Sequence, residues 1–248
     1  DQNGAYFGLS VSGAGDVNGD GYGDVIVGAG SYSNGQSAEG RAFLYLGSSA
    51  GLLPGAAWTA EGDQDFAYFG FSVATAGDVN GDGFGDVIVG AHDYSNGQLR
   101  EGRAYLYLGS AGGLSISAAW TAESDQAEAL FGVSVATAGD VNGDGYSDVI
   151  VGSPYFDNGD TDEGRAFVYL GSASGLSTGA VWTVESDQAY AHFGYSVSGV
   201  GDVNGDGFDD VIVGAHNFDN GEMDEGRVFL YLGSAGGPSV APDWTAES

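Results

Sequence analysis

The sequence predicts an all-β fold: a β-propeller of four-stranded antiparallel blades, with four blades per chain. Three observations carry that prediction. An acidic loop, Asp16-Val17-Asn18-Gly19-Asp20-Gly21-Tyr22-Gly23-Asp24, returns at Asp78, Asp140 and Asp202, each 62 residues after the last. The 248 residues therefore divide into the units 1–62, 63–124, 125–186 and 187–248. Within each unit, short β-prone segments alternate with Gly-, Asn- and Asp-rich connections. A unit of this kind cannot bury its apolar face alone and must stack on its neighbours, so one domain of four units is expected.

The first unit shows the element order. Residues 6–12 alternate large apolar with small or polar side chains, which reads as a strand. The acidic loop follows. Residues 24–29 are a β-branched run, a second strand buried on both faces. Residues 30–39 are polar and turn-rich, a loop. Residues 40–47 form a third strand, 48–55 a loop with Gly51 and Pro54, and 56–61 a short fourth strand holding Trp58. No stretch has a 3.6-residue apolar period, and 47 glycines argue against long helices. The small residues Gly13-Ala14-Gly15 suit the crowded centre of a ring. Trp58, Trp120, Trp182 and Trp244 stand in phase and are expected to pack between neighbouring blades. A meander places the acidic loop and the 48–55 loop at the bottom of each blade. The 30–39 loop and the connection to the next blade then lie at the top.

The acidic loop has the chemistry of a calcium site. Positions 1, 3 and 5 carry side-chain oxygens that a curled loop can aim at one cation. Gly at position 6 permits the curl, position 7 offers its backbone carbonyl, and position 9 closes the site. The candidate ligands are Asp16, Asn18, Asp20, Tyr22 and Asp24; Asp78, Asn80, Asp82, Phe84 and Asp86; Asp140, Asn142, Asp144, Tyr146 and Asp148; and Asp202, Asn204, Asp206, Phe208 and Asp210. The start copies an EF-hand loop, but position 12 is Val27, Val89, Val151 or Val213 rather than Glu. The expected device is a metal-clipped hairpin, with about four Ca2+ per chain in a structural role. Hard oxygen donors favour calcium over zinc or copper, and magnesium prefers a tighter shell with more water. The same residues also make metal-free Asx-turns; four copies in register favour the metal.

Composition excludes several classes of partner. The chain has 35 acidic and 5 basic residues and a formal charge of −30. The basic residues are Arg41, Arg100, Arg103, Arg165 and Arg227. Phosphate backbones and anionic lipid would be repelled, so neither nucleic acid nor membrane insertion is expected. Four calcium ions would bring the charge from −30 to about −22. There is no Cys, which removes disulfide and zinc-thiolate frameworks. No apolar run reaches the ~18 residues of a membrane helix. The chain opens in phase with Asp63-Gln64, Asp125-Gln126 and Asp187-Gln188 and shows no signal peptide, as expected of an excised or engineered piece cut in register.

These residues resemble the FG-GAP repeat family, whose best-known members are the N-terminal propellers of integrin alpha subunits. Phe7-Gly8, Phe69-Gly70, Phe131-Gly132 and Phe193-Gly194 match the first element of the motif. Gly28-Ala29-Gly30, Gly90-Ala91-His92, Gly152-Ser153-Pro154 and Gly214-Ala215-His216 match the second, with the Pro kept only in the third unit. The resemblance implies calcium loops on the face opposite a ligand-binding face, and an extracellular or cell-surface location. Integrin propellers have seven blades; this chain has four. Neighbouring blades turn by about 51° in a ring of seven, about 45° in eight and about 90° in four. Near-identical units should share one angle, so a homodimer closing an eight-bladed ring is expected.

The remaining residues suggest binding rather than catalysis. The 30–39 loop varies from unit to unit while the acidic loop barely changes. Tyr32, Tyr94, Tyr155, Phe156 and Phe218 on those loops could stack on sugars, seat a protein, or simply pack. Glu39/Arg41 and its copies Glu101/Arg103, Glu163/Arg165 and Glu225/Arg227 read as a structural ion pair, an Arg–carbonyl brace or an anion clamp. His92 and His216 are in phase but two blades apart, and His192 lies elsewhere, which argues against zinc. The carboxylates repeat four-fold, whereas catalysis needs one asymmetric constellation. The expected function is a non-enzymatic, calcium-stabilised adhesion or protein-interaction module or a symmetric scaffold; a carbohydrate-binding lectin is the alternative.

Overall fold

The computed structural model describes residues 2–247. It is all-β, with four antiparallel sheets consistent with propeller blades, one in each 62-residue unit. The first holds β1 (Ser10–Gly15), β2 (Asp24–Ala29), β3 (Arg41–Tyr45) and β4 (Trp58–Glu61). The second holds β5 (Ser72–Gly77), β6 (Asp86–Ala91), β7 (Arg103–Tyr107) and β8 (Trp120–Glu123). The third holds β9 (Ser134–Gly139), β10 (Asp148–Ser153), β11 (Arg165–Tyr169) and β12 (Trp182–Glu185). The fourth holds β13 (Phe193–Gly201), β14 (Asp210–Ala215), β15 (Arg227–Tyr231) and β16 (Trp244–Glu247). Each sheet is a simple meander in chain order. The inner strands pack in sequence, β1 on β5, β5 on β9 and β9 on β13.

The second strand has the bounds read from the sequence, because a β-branched run ending in Gly-Ala leaves little latitude. The first strand differs. It begins at Ser10 rather than residue 6 and continues to Gly15. Residues 6–9 form a tight turn instead, closed by the Leu9 N–H on the Tyr6 carbonyl at 3.0 Å, with Tyr6 at φ 52° and Gly8 at φ 87°. The in-phase Tyr68, Leu130 and His192 adopt φ 53° in the same turn. The turn folds the motif Phe back into the joint between blades, which alternation alone could not reveal. A register shift between Gly13 and Gly15 lets β1 leave the ladder and enter the acidic loop.

The core lies between blades rather than within them. One apolar cluster joins Ala14, Val17, Ile26 and Leu44 of the first blade to Phe69, Val73, Val87 and Tyr107 of the second. The other two joints repeat it around Phe131 and Phe193. Glycine permits the close approach of the sheets: a methyl built on Gly28, Gly90 or Gly152 would run into the carbonyl of Gly70, Gly132 or Gly194. Trp58, Trp120 and Trp182 take the interblade positions expected of them, whereas Trp244, on the last blade, is exposed. Trp58 lies edge-on to Tyr107 at 4.7 Å and donates its indole N–H to the Ser115 carbonyl at 2.9 Å.

Candidate functional site

The acidic loops are curled by their own hydrogen bonds. Asp16 Oδ1 accepts from the N–H groups of Gly19 (2.7 Å) and Asp20 (3.1 Å), and Oδ2 accepts from Gly21 (2.7 Å). Asn18 Oδ1 accepts from Asp20 N–H at 3.0 Å, and Asp20 Oδ1 from Tyr22 N–H at 3.0 Å. The loops at Asp78, Asp140 and Asp202 repeat this pattern. The Gly21 N–H, with the other loop amides, holds the Asp16 carboxyl below its ordinary range against the smaller opposing effect of desolvation, and Gly207 does the same for Asp202. These side chains are thus kept anionic, and every donor at the predicted positions is a hard oxygen. That set fits calcium.

Position 9 has a second task. Asp24 is buried; its Oδ2 accepts from Val17 N–H at 2.9 Å and its Oδ1 from Gly47 N–H at 2.8 Å. Asp86, Asp148 and Asp210 do the same in their blades. Each ties its acidic loop to the loop between the third and fourth strands. Burial pushes Asp86 up to about 6 and Asp148 up to about 7, against the lowering effect of those amides. The loops also reach the next blade: the Asp16 carbonyl accepts from Gly85 N–H at 2.8 Å, and Gly19 lies against the Phe84 ring. An ion held here would brace a hairpin and a blade joint together.

The tightest carboxylate groups lie on the opposite face, where sequence reasoning placed no metal. Among the described residues, Glu39, Glu61 and Asp63, and likewise Glu101, Glu123 and Asp125, each bring one oxygen within 4.8 Å of the other two. These two clusters could hold a metal ion. They form because β3 and β4 pair Arg41 with Glu61 and Arg103 with Glu123 across the ladder. Arg41 meets Glu61 at 3.0 Å, and Arg103, Arg165 and Arg227 meet Glu123, Glu185 and Glu247. The repeated Arg is therefore a structural ion pair, but its partner is this Glu rather than the one two residues before it. Glu39 is buried and accepts the Asn34 N–H. Burial raises its carboxyl, against that hydrogen bond and with the nearby charge of Glu61. A cation at these clusters would share their carboxylates with an arginine.

The top-loop aromatics are used internally. Tyr32, Tyr94, Phe156 and Phe218 lie edge-on to Phe43, Tyr105, Phe167 and Phe229, under the guanidinium groups of Arg41, Arg103, Arg165 and Arg227 at 4.1–5.1 Å. Tyr155 packs on His192 at 4.6 Å. His192 and His216, distant in the sequence, stack at 5.1 Å, because the interblade turn carries His192 over the loop after β14. His92 stacks on Tyr68 at 5.3 Å. Exposed aromatics on the top face include Phe66 and Tyr190, on the interblade connections at φ 61° and 63°. Sequence reading passed over them, since their in-phase partners are Gly4 and Glu128. It also gave no task to the repeated Gln. Gln64 grips the backbone of Ser95 through both ends of its amide at 2.8–2.9 Å, and Gln2, Gln126 and Gln188 grip the corresponding loops.

The FG-GAP repeat family matches this chain four times, over residues 7–45, 69–107, 131–169 and 193–231. Integrin alpha-V of Gallus gallus is 32% identical over 241 residues, covering 93% of this chain and 22% of that protein. Integrin alpha-PS2 of Drosophila melanogaster is 34% identical, covering 87% of this chain and 16% of that protein. Phosphatidylinositol-glycan-specific phospholipase D of Homo sapiens is 36% identical over 202 residues, covering 75% and 24%. The chain thus spans less than a quarter of the length of these relatives. The crystal structure of exotype rhamnogalacturonan lyase YesX superposes with a TM-score of 0.51 at 16% identity, over 93% of this chain and 49% of that one, a likeness of fold.

Proposed function

This chain belongs to the FG-GAP repeat family, and on that premise we propose that it is a calcium-stabilised, non-enzymatic propeller module that works outside the cell and meets a protein partner on the face opposite its acidic loops. The observation that carries this reading is the contrast between the two faces. The four acidic loops keep one hydrogen-bond pattern, as a shared structural ion requires, while the top loops differ from blade to blade. Asp16, Asn18, Asp20, the Tyr22 carbonyl and Asp24, with their in-phase equivalents, would hold about four ions per chain. The bound ion supplies positive charge to a chain of formal charge −30. Phe66 and Tyr190 offer exposed rings as anchors for a partner. Because exposed rings also stack on sugars, a glycan partner is the second reading.

Calorimetric titration tests the metal. About four calcium ions per chain are expected, with a large fall in melting temperature in excess EDTA. No binding heat together with an unchanged melt would overturn it. For the interaction role, binding to extracellular proteins and to a glycan array should weaken at least tenfold in Phe66→Ala or Tyr190→Ala, with unchanged melts. Saturable hydrolysis abolished by replacing a single top-loop acid would overturn the non-enzymatic reading.

No helix among the described residues is long and apolar enough to cross a membrane.

A further inference from the structure

Three carboxylates meet at the top of the first blade joint, and their counterparts meet at the second. Glu39, Glu61 and Asp63 each bring one oxygen within 4.8 Å of the other two, as do Glu101, Glu123 and Asp125. The chain delivers them by separate routes. Glu39 ends the loop after β2, Glu61 ends β4, and Asp63 opens the connection to the next blade at φ 53°. Asn34 orients two of them: its backbone N–H donates to Glu39 Oε1, and its side-chain amide donates to Glu61 at 3.1 Å. Asn96 does the same for Glu101 and Glu123. The second oxygen of each buried Glu is left over. Glu39 and Glu101 are 0% exposed, and Oε2 of each is buried with no hydrogen-bond partner. Such an oxygen is costly, and folded proteins seldom leave one unmet. Arg41 does not meet it, because its guanidinium pairs with Glu61 at 3.0 Å. Three carboxylates against one guanidinium leave two negative charges in excess. Burial raises the Glu39 carboxyl, and the like charges of Glu61 and Asp63 add to this against the amides of Asn34 and Gln36. Glu101 is raised in the same way, by burial and then by Glu123 and Asp125.

We propose that each cluster is a site for a hard divalent cation, Ca2+ held by Glu39, Glu61 and Asp63 at the first joint and by Glu101, Glu123 and Asp125 at the second. These two sites are additional to the acidic loops and lie at the other end of the blades. Every donor is a carboxylate oxygen, and a calcium ion about 2.3–2.6 Å from each ligand spans oxygens up to about 5 Å apart. Its two charges match the excess, and it gives Oε2 of the buried Glu a partner. Asp63 and Asp125 are exposed, which gives the ion a way in from solvent and leaves room for water ligands. The Glu39 carbonyl already accepts the Phe69 N–H at 2.9 Å, so an ion here braces the joint from above, where the acidic loops reach it from below. The third joint supplies a contrast. Glu163, Glu185 and Asp187 stand in phase, with Asp187 also at φ 53°, but among the described residues they do not converge as the other two triplets do. Two ions per chain are assigned to the joints, not three.

Equilibrium dialysis of the 248-residue chain against about 10 mM calcium, roughly tenfold above the weak range of extracellular modules, with the bound metal counted by atomic emission, tests this. Asp63→Asn combined with Asp125→Asn should lower the count by two ions per chain, whatever the acidic loops hold. Asn tolerates the positive φ at both positions, so this pair keeps the fold. Asp187→Asn, the same change on the same turn at the third joint, should leave the count as it is. Glu39→Gln combined with Glu101→Gln is the second pair. It keeps the shape and removes two like charges, so it should melt no lower than wild type in EDTA and lose the same two ions in calcium. An unchanged count in either pair would overturn the proposal and leave the buried oxygens to a proton shared between carboxylates. An equal fall per substitution in Asp187→Asn would also overturn it, reducing the bound calcium to diffuse counterions around an acidic chain.

Discussion

Asp148 and Asp144 stand four residues apart in one loop, yet their tasks differ. Asp148 is buried and accepts two backbone N–H groups, whereas Asp144 lies in the exposed curl. Asp148→Ala strands both donors as well as removing a candidate ligand, so it should cost about 2–5 kcal/mol even in EDTA. Asp144→Ala should lower the melting temperature in calcium and change it little in EDTA. Paired melts of the two variants in EDTA separate the staple, which only Asp148 supplies, from ligation. His92 permits a test by pH. Burial lowers its pKa; Asp93 opposes this, Arg100 adds to it, and the Tyr68 and Phe71 rings enclose the imidazole. A base depressed in the folded state takes up its proton more readily when unfolded. Its contribution is therefore present above the unfolded value of 6.5 and lost as pH falls through the depressed one. Urea melts of wild type and His92→Phe at pH 7.5 and 5.5 should show the larger acid loss in wild type.

At the scale of the element, the joint rather than the sheet is the unit of stability. A single repeat unit cannot bury its apolar face alone, and here that face is covered by the neighbouring blade. Phe131 is buried between the second and third blades, so Phe131→Ala should cost about 3–5 kcal/mol, measured by urea titration. Gly90→Ala should be worse than its small volume suggests, because the methyl is directed at the Gly132 carbonyl across the joint. The same change at Gly214 should leave the single chain's own packing undisturbed. An equal loss in both would show that glycine is needed for backbone conformation rather than close approach.

Across the whole molecule, charge is the opposing force. A formal charge of −30 on 248 residues repels itself, and the candidate ligands of the four acidic loops include 12 of the 35 acidic residues. Calcium counters it locally; salt screens it everywhere. In EDTA, raising NaCl to about 1 M should therefore raise the melting temperature, and the same salt should matter much less in millimolar calcium. Melts that rose equally in the two buffers would point to a general salting-out effect.

Repetition in the sequence was enough to establish the strand order, the meander and the position of the acidic loops, because a period-2 pattern and turn chemistry are local properties. The tryptophans at the joints followed from the same period. Contacts made across strands and blades were not legible. Arg41 pairs with Glu61 because the ladder aligns them, although Glu39 lies closer in sequence. His192 stacks on His216 because a turn at positive φ folds back over the next loop. The loop aromatics lie under arginines, and Phe66 and Tyr190 take the exposed places, because the sheets decide which rings have a surface to pack on. Local pattern determines what each blade is; only packing between blades decides which polar and aromatic groups are consumed in the joints and which remain on the surface.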